Sequence, residues 1–333
     1  MAKKVKMEDI AKKLGVSKNT ISLALRNMPV ISEQTRELVH NTAREMGYVY
    51  EKKSGIVPEG GERLKNICLF LPRSVMNVEF FSYIQFGIEK EARKHHLNVI
   101  LYYMDGETFP ETPLCIRQGI VDGIITLGRF TLDTVEAIRQ FGLPVVVVDM
   151  YYDSLAMDYI LTDNISGSYR MTEYLIKKGF KRIGFLGDPR YASSFYDRFQ
   201  GYNRAMEAWK LETNPQWSIL ADTETYRELL DQISEMKTNL PDAMVCANDA
   251  LAIALVKALE EISVQTPQMI SVTGFDNIPR SEECVPGLTT MHVQKELMGE
   301  KAVQRLMVIM KNRDAVPVKI LLSTILIERE SVK

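Results

Sequence analysis

The chain has 333 residues, which at about 150 residues per domain predicts two domains, or two domains and a small third unit. Hydrophobic residues make up 46% of the sequence and charged residues 25%, a balance typical of globular proteins that excludes long disordered regions. The formal net charge is -2, but the charges are unevenly distributed. Residues 1–30 carry seven Lys or Arg and two Asp or Glu, whereas residues 66–333 carry 28 Lys or Arg and 35 Asp or Glu. A basic first segment on an acidic remainder predicts a polyanion-binding head on a separate body, although a solvated lysine-rich tail would show the same charges.

The cysteines and histidines indicate neither a disulfide framework nor a metal site. Cys68, Cys115, Cys246 and Cys284 are far apart in the sequence, which is typical of reduced thiols in a cytoplasmic protein. The four histidines lack the spacing of metal ligands, so we expect neither a metal nor a cofactor. No apolar segment follows the basic first residues, and the run Leu143–Asp149 is too short to span a bilayer. We therefore expect no secretory signal and no membrane partner.

Residues 1–48 are predicted to form three short helices. Apolar residues at helical spacing predict the first helix over Met7–Leu14, and Gly15 ends it. Ser17 and Ser32 are N-cap residues that begin the second and third helices. Two short helices joined by so tight a turn are typical of a helix-turn-helix, with an ordinary helical hairpin as the alternative.

The first turn of the second helix carries the candidate DNA contacts. In a helix-turn-helix this turn enters the major groove, while the first helix crosses the phosphate backbone. Lysine suits guanine O6 and N7 or a phosphate, asparagine can bridge adenine N6 and N7, and hydroxyl groups suit phosphates. The candidate DNA-binding residues are Ser17, Lys18, Asn19, Thr20, Ser22 and Asn27.

Residues 49–65 are predicted to be a linker. Gly55, Pro58, Gly60 and Gly61 argue against a stable helix over most of this stretch.

From Asn66 onward, short apolar runs alternate with amphipathic helical stretches. The apolar runs are Ile67–Leu71, Val99–Tyr103, Gly123–Leu127, Val145–Asp149, Arg182–Gly187, Ala243–Ala247 and Ile270–Gly274. The helical stretches are Phe81–His95, Thr131–Phe141, Gly167–Gly179, Arg198–Trp209, Tyr226–Thr238, Ala250–Ile262 and Lys295–Lys311. This alternation predicts parallel βαβ units with helices on both sheet faces, in sufficient number for two sheets. A two-lobed α/β body of this kind binds small molecules at the carboxyl ends of its strands.

Ordered motifs along essentially the whole chain resemble the LacI/GalR family of transcription regulators. In the first 48 residues these motifs are Ile10-Ala11, Gly15-Val16-Ser17, Thr20-Ile21-Ser22, Ser32, Thr35-Arg36 and Gly47-Tyr48. In the body they include Gly87-Ile88-Glu89, Val121-Asp122-Gly123, Asp163-Asn164, Gly201-Tyr202, Ala247-Asn248-Asp249, Gly274-Phe275-Asp276-Asn277 and Leu288-Thr289-Thr290. The resemblance implies a small all-α helix-turn-helix headpiece followed by an α/β periplasmic-binding-protein-like body of two Rossmann-like lobes. It further implies an effector in the cleft and a homodimer on a pseudo-palindromic double-stranded DNA operator.

The resemblance also predicts where the domains begin and end. They are a DNA-binding headpiece (1–48), a linker or degenerate hinge (49–65), an N-terminal lobe (66–161 plus 290–322) and a C-terminal lobe (162–289 plus 323–333). The helices Phe81–His95 and Lys295–Lys311 then belong to the N-terminal lobe, which is expected to lie nearest the DNA and to pair with its twin in the dimer.

The resemblance assigns a set of effector-binding residues in the cleft. They are Phe81, Asp149, Asp163, Ser194, Arg198, Asn248 and Asp276. A guanidinium such as that of Arg198, which starts a predicted helix, offers a fork of donors for hydroxyl or carbonyl oxygens. Asn248 and Asp276 each follow a predicted strand, where cleft residues lie in this architecture. Capping or a local ion pair would equally explain these polar residues, and an aromatic residue such as Phe81 at helical spacing could belong to the core.

Three features depart from the family pattern. Val57 stands where the family carries a leucine that wedges into the minor groove, and Gly55 lies nearby, which disfavours a hinge helix. Leu23 replaces an arginine or histidine that is common in the recognition helix. The last predicted strand, Ile320–Ile327, is followed by no heptad tail before Lys333, so we expect a dimer without a basis for a tetramer.

These features predict a cytoplasmic, sequence-specific DNA-binding repressor whose operator affinity is switched by a sugar bound between two lobes. A purine effector is the alternative ligand, and an extracytoplasmic solute-binding protein of the same two-lobed fold is the alternative class. An enzyme is not expected, because the chain contains no G-x-G-x-x-G, G-x-x-x-x-G-K-[ST] or G-x-S-x-G motif.

Overall fold

The computed structural model describes residues 5–25, 31–46, 48, 65–75, 78–104, 112–220 and 226–333. The chain divides into two compact units, Met1–Arg63 and Leu64–Lys333. The predicted linker therefore lies outside the described residues except for Lys65.

The first unit consists of three helices, as the sequence predicts. They are α1 (Met7–Leu14), α2 (Lys18–Leu25) and α3 (Glu33–Glu45). Gly15 adopts a left-handed conformation with φ +67° at the end of α1, which allows the tight turn into α2. Buried apolar residues hold the three helices together; they are Ile10, Ala11, Ile21, Ala24, Leu25, Val39 and Ala43.

The second unit contains twelve strands and nine further helices among the described residues. The strands are β1 (Lys65–Pro72), β2 (Leu97–Met104), β3 (Gly123–Leu127), β4 (Val145–Val148), β5 (Asp158–Thr162), β6 (Ile183–Leu186), β7 (Ser218–Ile219), β8 (Ala243–Cys246), β9 (Ser271–Thr273), β10 (Thr290–His292), β11 (Lys319–Leu322) and β12 (Ile325–Ile327). The helices are α4 (Glu79–Lys94), α5 (Leu114–Arg117), α6 (Leu132–Arg139), α7 (Asn164–Lys177), α8 (Ser193–Ala208), α9 (Tyr226–Met236), α10 (Asp249–Glu261), α11 (Pro279–Glu283) and α12 (Lys295–Lys311).

Six parallel strands form the sheet of the N-terminal lobe, in the order β11-β5-β4-β3-β1-β2. Alternate residues of β1 point to opposite faces, so Ile67 and Leu69 pack with α4 and α12, while Cys68 and Phe70 pack with α6. Helices cover both faces, so the central strands β3 and β4 are buried along their whole length.

The C-terminal lobe has a parallel sheet of four strands, in the order β7-β6-β8-β9. Its core joins these strands to apolar residues of α7, α8, α9 and α10. The chain passes between the two sheets at residues 162–164, 292–295 and 322–325, and β10 pairs antiparallel with β12 beside the second and third passages. The sequence analysis places residues 290–292 in the N-terminal lobe. In the structure they pair with β12 and form a bridge with Asp276, both of which the sequence analysis places in the C-terminal lobe.

Two sequence predictions about these elements are wrong. The single last strand Ile320–Ile327 is two strands, because β11 joins β5 in one sheet and β12 joins β10 outside it. The chain turns at Thr324, which is buried and receives a hydrogen bond from Arg170. Helix α8 begins at Ser193 and not at Arg198, so the arginine lies in the second turn, where the helix carries it into the interior. The strands β5, β7 and β10 were not predicted.

Helices α4 and α12 approach each other unusually closely. A Cβ atom on Gly87 would lie 2.1 Å from the backbone oxygen of Glu296, and one on Gly299 would lie 2.2 Å from that of Ile84. Only glycine allows this approach, which places the beginning of α12 directly beside α4.

Candidate functional site

The first turn of α2 is capped by a side chain. Ser17 Oγ accepts a hydrogen bond from the backbone N–H of Thr20 at 3.0 Å and lies 2.8 Å from the Thr20 hydroxyl oxygen. Lys18 is exposed and pairs with Glu8 of α1, whereas Ser22 is half-buried. The side chain of Asn19 and the whole of Asn27 lie outside the described residues.

Arg198 is the centre of a buried polar cluster in the second unit. Its side chain is almost fully buried, its Nε donates to Asn164 Oδ1 at 2.9 Å and its Nη1 donates to the backbone oxygen of Ala247 at 2.6 Å. The guanidinium carbon lies 3.8 Å from the ring centroid of Phe275. Asn164 follows β5 and Ala247 follows β8, so the arginine joins the carboxyl ends of strands from both sheets.

Asp276 provides the anionic partner of this arginine. Its Oδ1 lies 3.0 Å from Arg198 Nη2 in a buried ion pair. The residue has φ +112° and Asn277 has φ +53°, so the corner after β9 is strained at two consecutive non-glycine positions. Lys295 Nζ donates to the backbone oxygens of both Asp276 and Asn277, which holds this corner from the start of α12.

Asp149 brings a second carboxylate to the same place from the N-terminal lobe. It follows β4 with φ +65°, and its Oδ1 is buried without a hydrogen-bond partner among the described residues. Burial raises its pKa to about 7, with Arg198 opposing the rise and Asp276 adding to it. Burial also raises the pKa of Asp276, against the effects of Arg198 and Lys295.

Direct contacts join the two lobes beside these carboxylates. The Tyr151 hydroxyl donates to Asp197 Oδ1 at 2.8 Å, and the Tyr151 N–H donates to Ser193 Oγ at 3.4 Å. The guanidinium of Arg129 lies 4.7 Å from the ring centroid of Tyr191 and donates to its backbone oxygen. The loops after β3 and β4 thus meet the beginning of α8, which defines the cleft between the lobes.

The structure brings together three of the seven proposed effector residues, Arg198, Asp276 and Asp149. Asp163 caps α7 by accepting from the Ser166 N–H at 3.1 Å, and Asn248 caps α10 by accepting from the Leu251 N–H at 2.9 Å.

Two further residues from that set lie on helices. Ser194 is buried in the first turn of α8. Phe81 is half-buried on α4, with its ring edge-on to Phe80 at 5.2 Å between centroids.

Several residues of this cluster were missed by the sequence analysis. Tyr151 is two residues from Asp149 and Asp197 is next to Arg198, so the predicted site residues already mark these parts of the sequence. Phe275 and Asn164 fall inside quoted motifs but were not singled out. Lys295 reads as an ordinary lysine in the first turn of a helix, and nothing local reveals its burial.

The part of the chain that the structure describes contains neither a metal-binding cluster nor a membrane-spanning helix. No group of three or more His, Cys, Asp or Glu side chains there is placed to hold a metal ion. None of the described helices combines the length and apolar character that crossing a membrane requires.

Two family descriptions match the chain in sequence. The bacterial regulatory proteins of the lacI family match residues 6–50, and the periplasmic binding protein-like domain matches residues 172–332. These segments contain α1 to α3 and most of the C-terminal lobe, respectively.

Similar proteins extend this likeness over nearly the whole length. The HTH-type transcriptional repressor PurR of Pasteurella multocida is 28% identical over 303 residues, which cover 89% of each chain. The ribose operon repressor of Haemophilus influenzae is 27% identical over 332 residues, which cover 98% of each chain. The structure of the lac repressor dimer bound to operator and the anti-inducer ONPF has a TM-score of 0.67 at 20% identity, covers 99% of both chains and shows the same fold.

The relatives are transcriptional repressors and not enzymes. A helix-turn-helix that matches the family at the beginning of the chain therefore precedes a two-lobed body with a polar cleft. The chain therefore carries the DNA-binding domain of the lacI family of bacterial regulatory proteins, followed by a periplasmic binding protein-like domain.

Proposed function

We propose that the chain is a homodimeric transcriptional repressor that binds a pseudo-palindromic operator through the first turn of α2. A small molecule bound between the two lobes changes its operator affinity. The basic residues 1–30, the capped first turn of α2 and the repressor names of the relatives support the DNA-binding part. A two-fold dimer matches a two-fold operator.

The observation that carries the effector part is the convergence of Arg198, Asp276 and Asp149 in the cleft. A guanidinium between two carboxylates offers a fork of donors and several acceptors within one small volume. Neighbouring hydroxyl groups of a sugar both donate and accept, so a sugar satisfies both kinds of partner. A purine carries donors and acceptors on one edge and is the alternative ligand, so the test below includes both.

We include the remaining predicted cleft residues in the proposed effector site. Phe81, Asp163, Ser194 and Asn248 lie near the carboxyl ends of strands or in the first turns of the helices that follow them. We place the protein in the cytoplasm. We keep the boundaries 1–48 for the headpiece, 49–65 for the linker, 66–161 plus 290–322 for the N-terminal lobe and 162–289 plus 323–333 for the C-terminal lobe.

A ligand screen on the full-length protein tests the effector part. Thermal unfolding is followed with D-ribose, D-glucose, cellobiose, hypoxanthine and guanine. A ligand at a hundredfold its dissociation constant stabilises the folded protein by about 2.7 kcal/mol. The ligand that raises the unfolding temperature is then added to a complex of the protein with an operator selected from a random-sequence DNA library. We expect it to change the operator affinity.

Two variants locate the site. Asp276→Asn should abolish the ligand-induced rise in unfolding temperature and preserve operator binding without ligand. Asp242→Asn is the matched control, because Asp242 is a half-exposed aspartate of the same lobe that lies 4.0 Å from Arg182. A wild-type protein that selects no DNA sequence, or an Asp276→Asn variant that binds ligand like the wild type, would contradict the proposal.

A further inference from the structure

An ion pair joins the first two helices of the DNA-binding unit at the end expected to face DNA. Lys18 Nζ donates to Glu8 Oε1, which connects the second residue of α1 with the first residue of α2. Both side chains are more than half exposed, Lys18 at 61% and Glu8 at 55%. The pKa of Glu8 lies below its ordinary value because its carboxylate accepts this hydrogen bond. A DNA surface that Lys18 contacts therefore also meets the carboxylate of Glu8.

The pair distinguishes between the two kinds of DNA surface that a lysine can contact. Phosphate oxygens only accept hydrogen bonds and carry negative charge, so a carboxylate beside the lysine is repelled and unsatisfied there. The major-groove edge of a G·C pair offers guanine O6 and N7 as acceptors and the cytosine N4 amino group as a donor. Lysine suits the guanine and glutamate suits the cytosine.

We propose that Glu8 is a specificity-determining residue, which weakens phosphate contacts of Lys18 and directs the pair to the edge of a G·C base pair. This inference rests on the proposed function in that it takes the first turn of α2 as the part of the headpiece that enters the major groove. Glu8 itself lies on α1, and none of the candidate contacts from the sequence analysis lies on that helix.

The Lys18–Glu8 ion pair should contribute little to the stability of the headpiece. Exposed ion pairs contribute little to stability, and α1 and α2 are already joined by buried residues such as Ile10 and Ile21. The main effect of removing the carboxylate should therefore be on DNA binding and not on folding.

The test compares specific and non-specific binding by the full-length protein. Glu8→Gln keeps the shape of the side chain and removes its charge. Fluorescence anisotropy measures affinity for the operator selected with the wild-type protein and for poly(dA-dT), which contains no G·C pair, at salt concentrations from 50 to 200 mM. In Glu8→Gln, Lys18 becomes free to neutralise one phosphate. Raising the salt over this range should therefore lower the poly(dA-dT) affinity of the variant by about 3.5-fold more than that of the wild type. The ratio of operator affinity to poly(dA-dT) affinity should fall.

A selection from a random-sequence library gives a second readout. With the wild-type protein, each half-site should contain one G·C pair that depends on Glu8. With Glu8→Gln, the preference at that pair should relax, which a loss of headpiece stability alone would not cause.

Glu45→Gln is the matched control. Glu45 pairs with Lys13 at 3.4 Å between α3 and α1, and its side chain is 69% exposed. The substitution removes the same charge from the same unit, away from the first turn of α2. We expect the affinity ratio and the selected sequence to stay as in the wild type. In a Lys18→Gln background, Glu8→Gln should lose most of its effect, because the two residues act as a pair.

The outcomes separate this inference from the proposed function. Equal salt dependence and equal selected sequences for Glu8→Gln and Glu45→Gln would overturn the role of Glu8. Parallel losses of operator and poly(dA-dT) binding with a lower unfolding temperature would show that the pair only stabilises the helices. Failure of the proposed function would be seen in the wild type itself, as equal affinity for operator and poly(dA-dT).

Discussion

Arg198 Nη2 lies 3.0 Å from Asp276 Oδ1, in an ion pair that is buried between elements of the same lobe. The Nε of the arginine donates to Asn164 and its Nη1 donates to Ala247, and one face of the guanidinium lies on Phe275. The arginine is therefore held in a single orientation before any ligand contacts it. Such preorganisation lowers the entropy that a ligand loses on binding.

Removal of this guanidinium should strongly destabilise the second unit. In Arg198→Met the apolar chain is kept, but Asp276 is left as a buried carboxylate without its cation. We expect a loss of about 3–5 kcal/mol in the free energy of unfolding, measured by urea denaturation. Arg182→Met is the control, because Arg182 is half-exposed and lies over Trp217. A loss for Arg198→Met no larger than that of the control would refute the prediction.

Asp149 should make stability depend on pH. The pKa of this carboxyl is about 7 in the folded protein and near its ordinary value of 3.8 when unfolded. A group with a raised folded pKa stabilises the fold fully below pH 4, and that contribution is lost as the pH rises through 7. Between pH 4 and pH 7, the free energy of unfolding should therefore decrease more for the wild type than for Asp149→Asn. At pH 8 we expect the variant to be more stable than the wild type by roughly 1–3 kcal/mol.

Urea denaturation of both proteins at pH 5 and pH 8 measures this difference. Asp249, whose pKa is also about 7, is present in both proteins, so its contribution cancels in the comparison. Parallel pH profiles for wild type and Asp149→Asn would show that Asp149 is not the titrating group.

Lys295 should hold the strained corner at Asp276 and Asn277. Its ammonium group donates to both backbone oxygens and is buried, so Lys295→Met preserves the volume and leaves two carbonyl groups without this donor. We expect a loss of about 1–3 kcal/mol in the free energy of unfolding. Hydrogen exchange at residues 274–278 should become faster. Lys301→Met on the same helix, where Lys301 donates to Gln304, should leave both measurements unchanged; equal effects for the two variants would contradict a specific role.

Tyr151 and Asp197 should contribute to closure of the cleft. Tyr151→Phe removes the 2.8 Å hydrogen bond between the lobes and keeps the aromatic ring. We expect a coupling energy of about 0.5–1.5 kcal/mol between Tyr151→Phe and Asp197→Ala in a double-mutant cycle of urea unfolding. Small-angle scattering should show a larger radius of gyration for Tyr151→Phe than for Tyr196→Phe, which changes an exposed tyrosine of α8. Additive energies and identical radii would exclude a contact between the lobes through this hydroxyl.

Most local elements and their order along the chain follow from the amino-acid sequence alone. Capping residues such as Ser17 and Ser32 and apolar residues at a spacing of three to four predict the helices of the first unit. Continuous apolar runs predict most strands of the sheets, because strands covered on both faces bury every side chain. Short strands such as β7 and β10 lack such a run and were missed.

The environment of each polar side chain depends on the folded arrangement of the whole body. The sequence marks Arg198, Asp149 and Asp276 as polar residues near strand ends, but their convergence depends on how two sheets face each other. The split of residues 319–327 into β11 and β12 and the burial of Lys295 likewise depend on partners far away in the chain. The physical reason is that periodicity and capping report interactions within one turn or one strand. Ion pairs, desolvation and pKa shifts instead depend on atoms that only folding brings within a few ångströms.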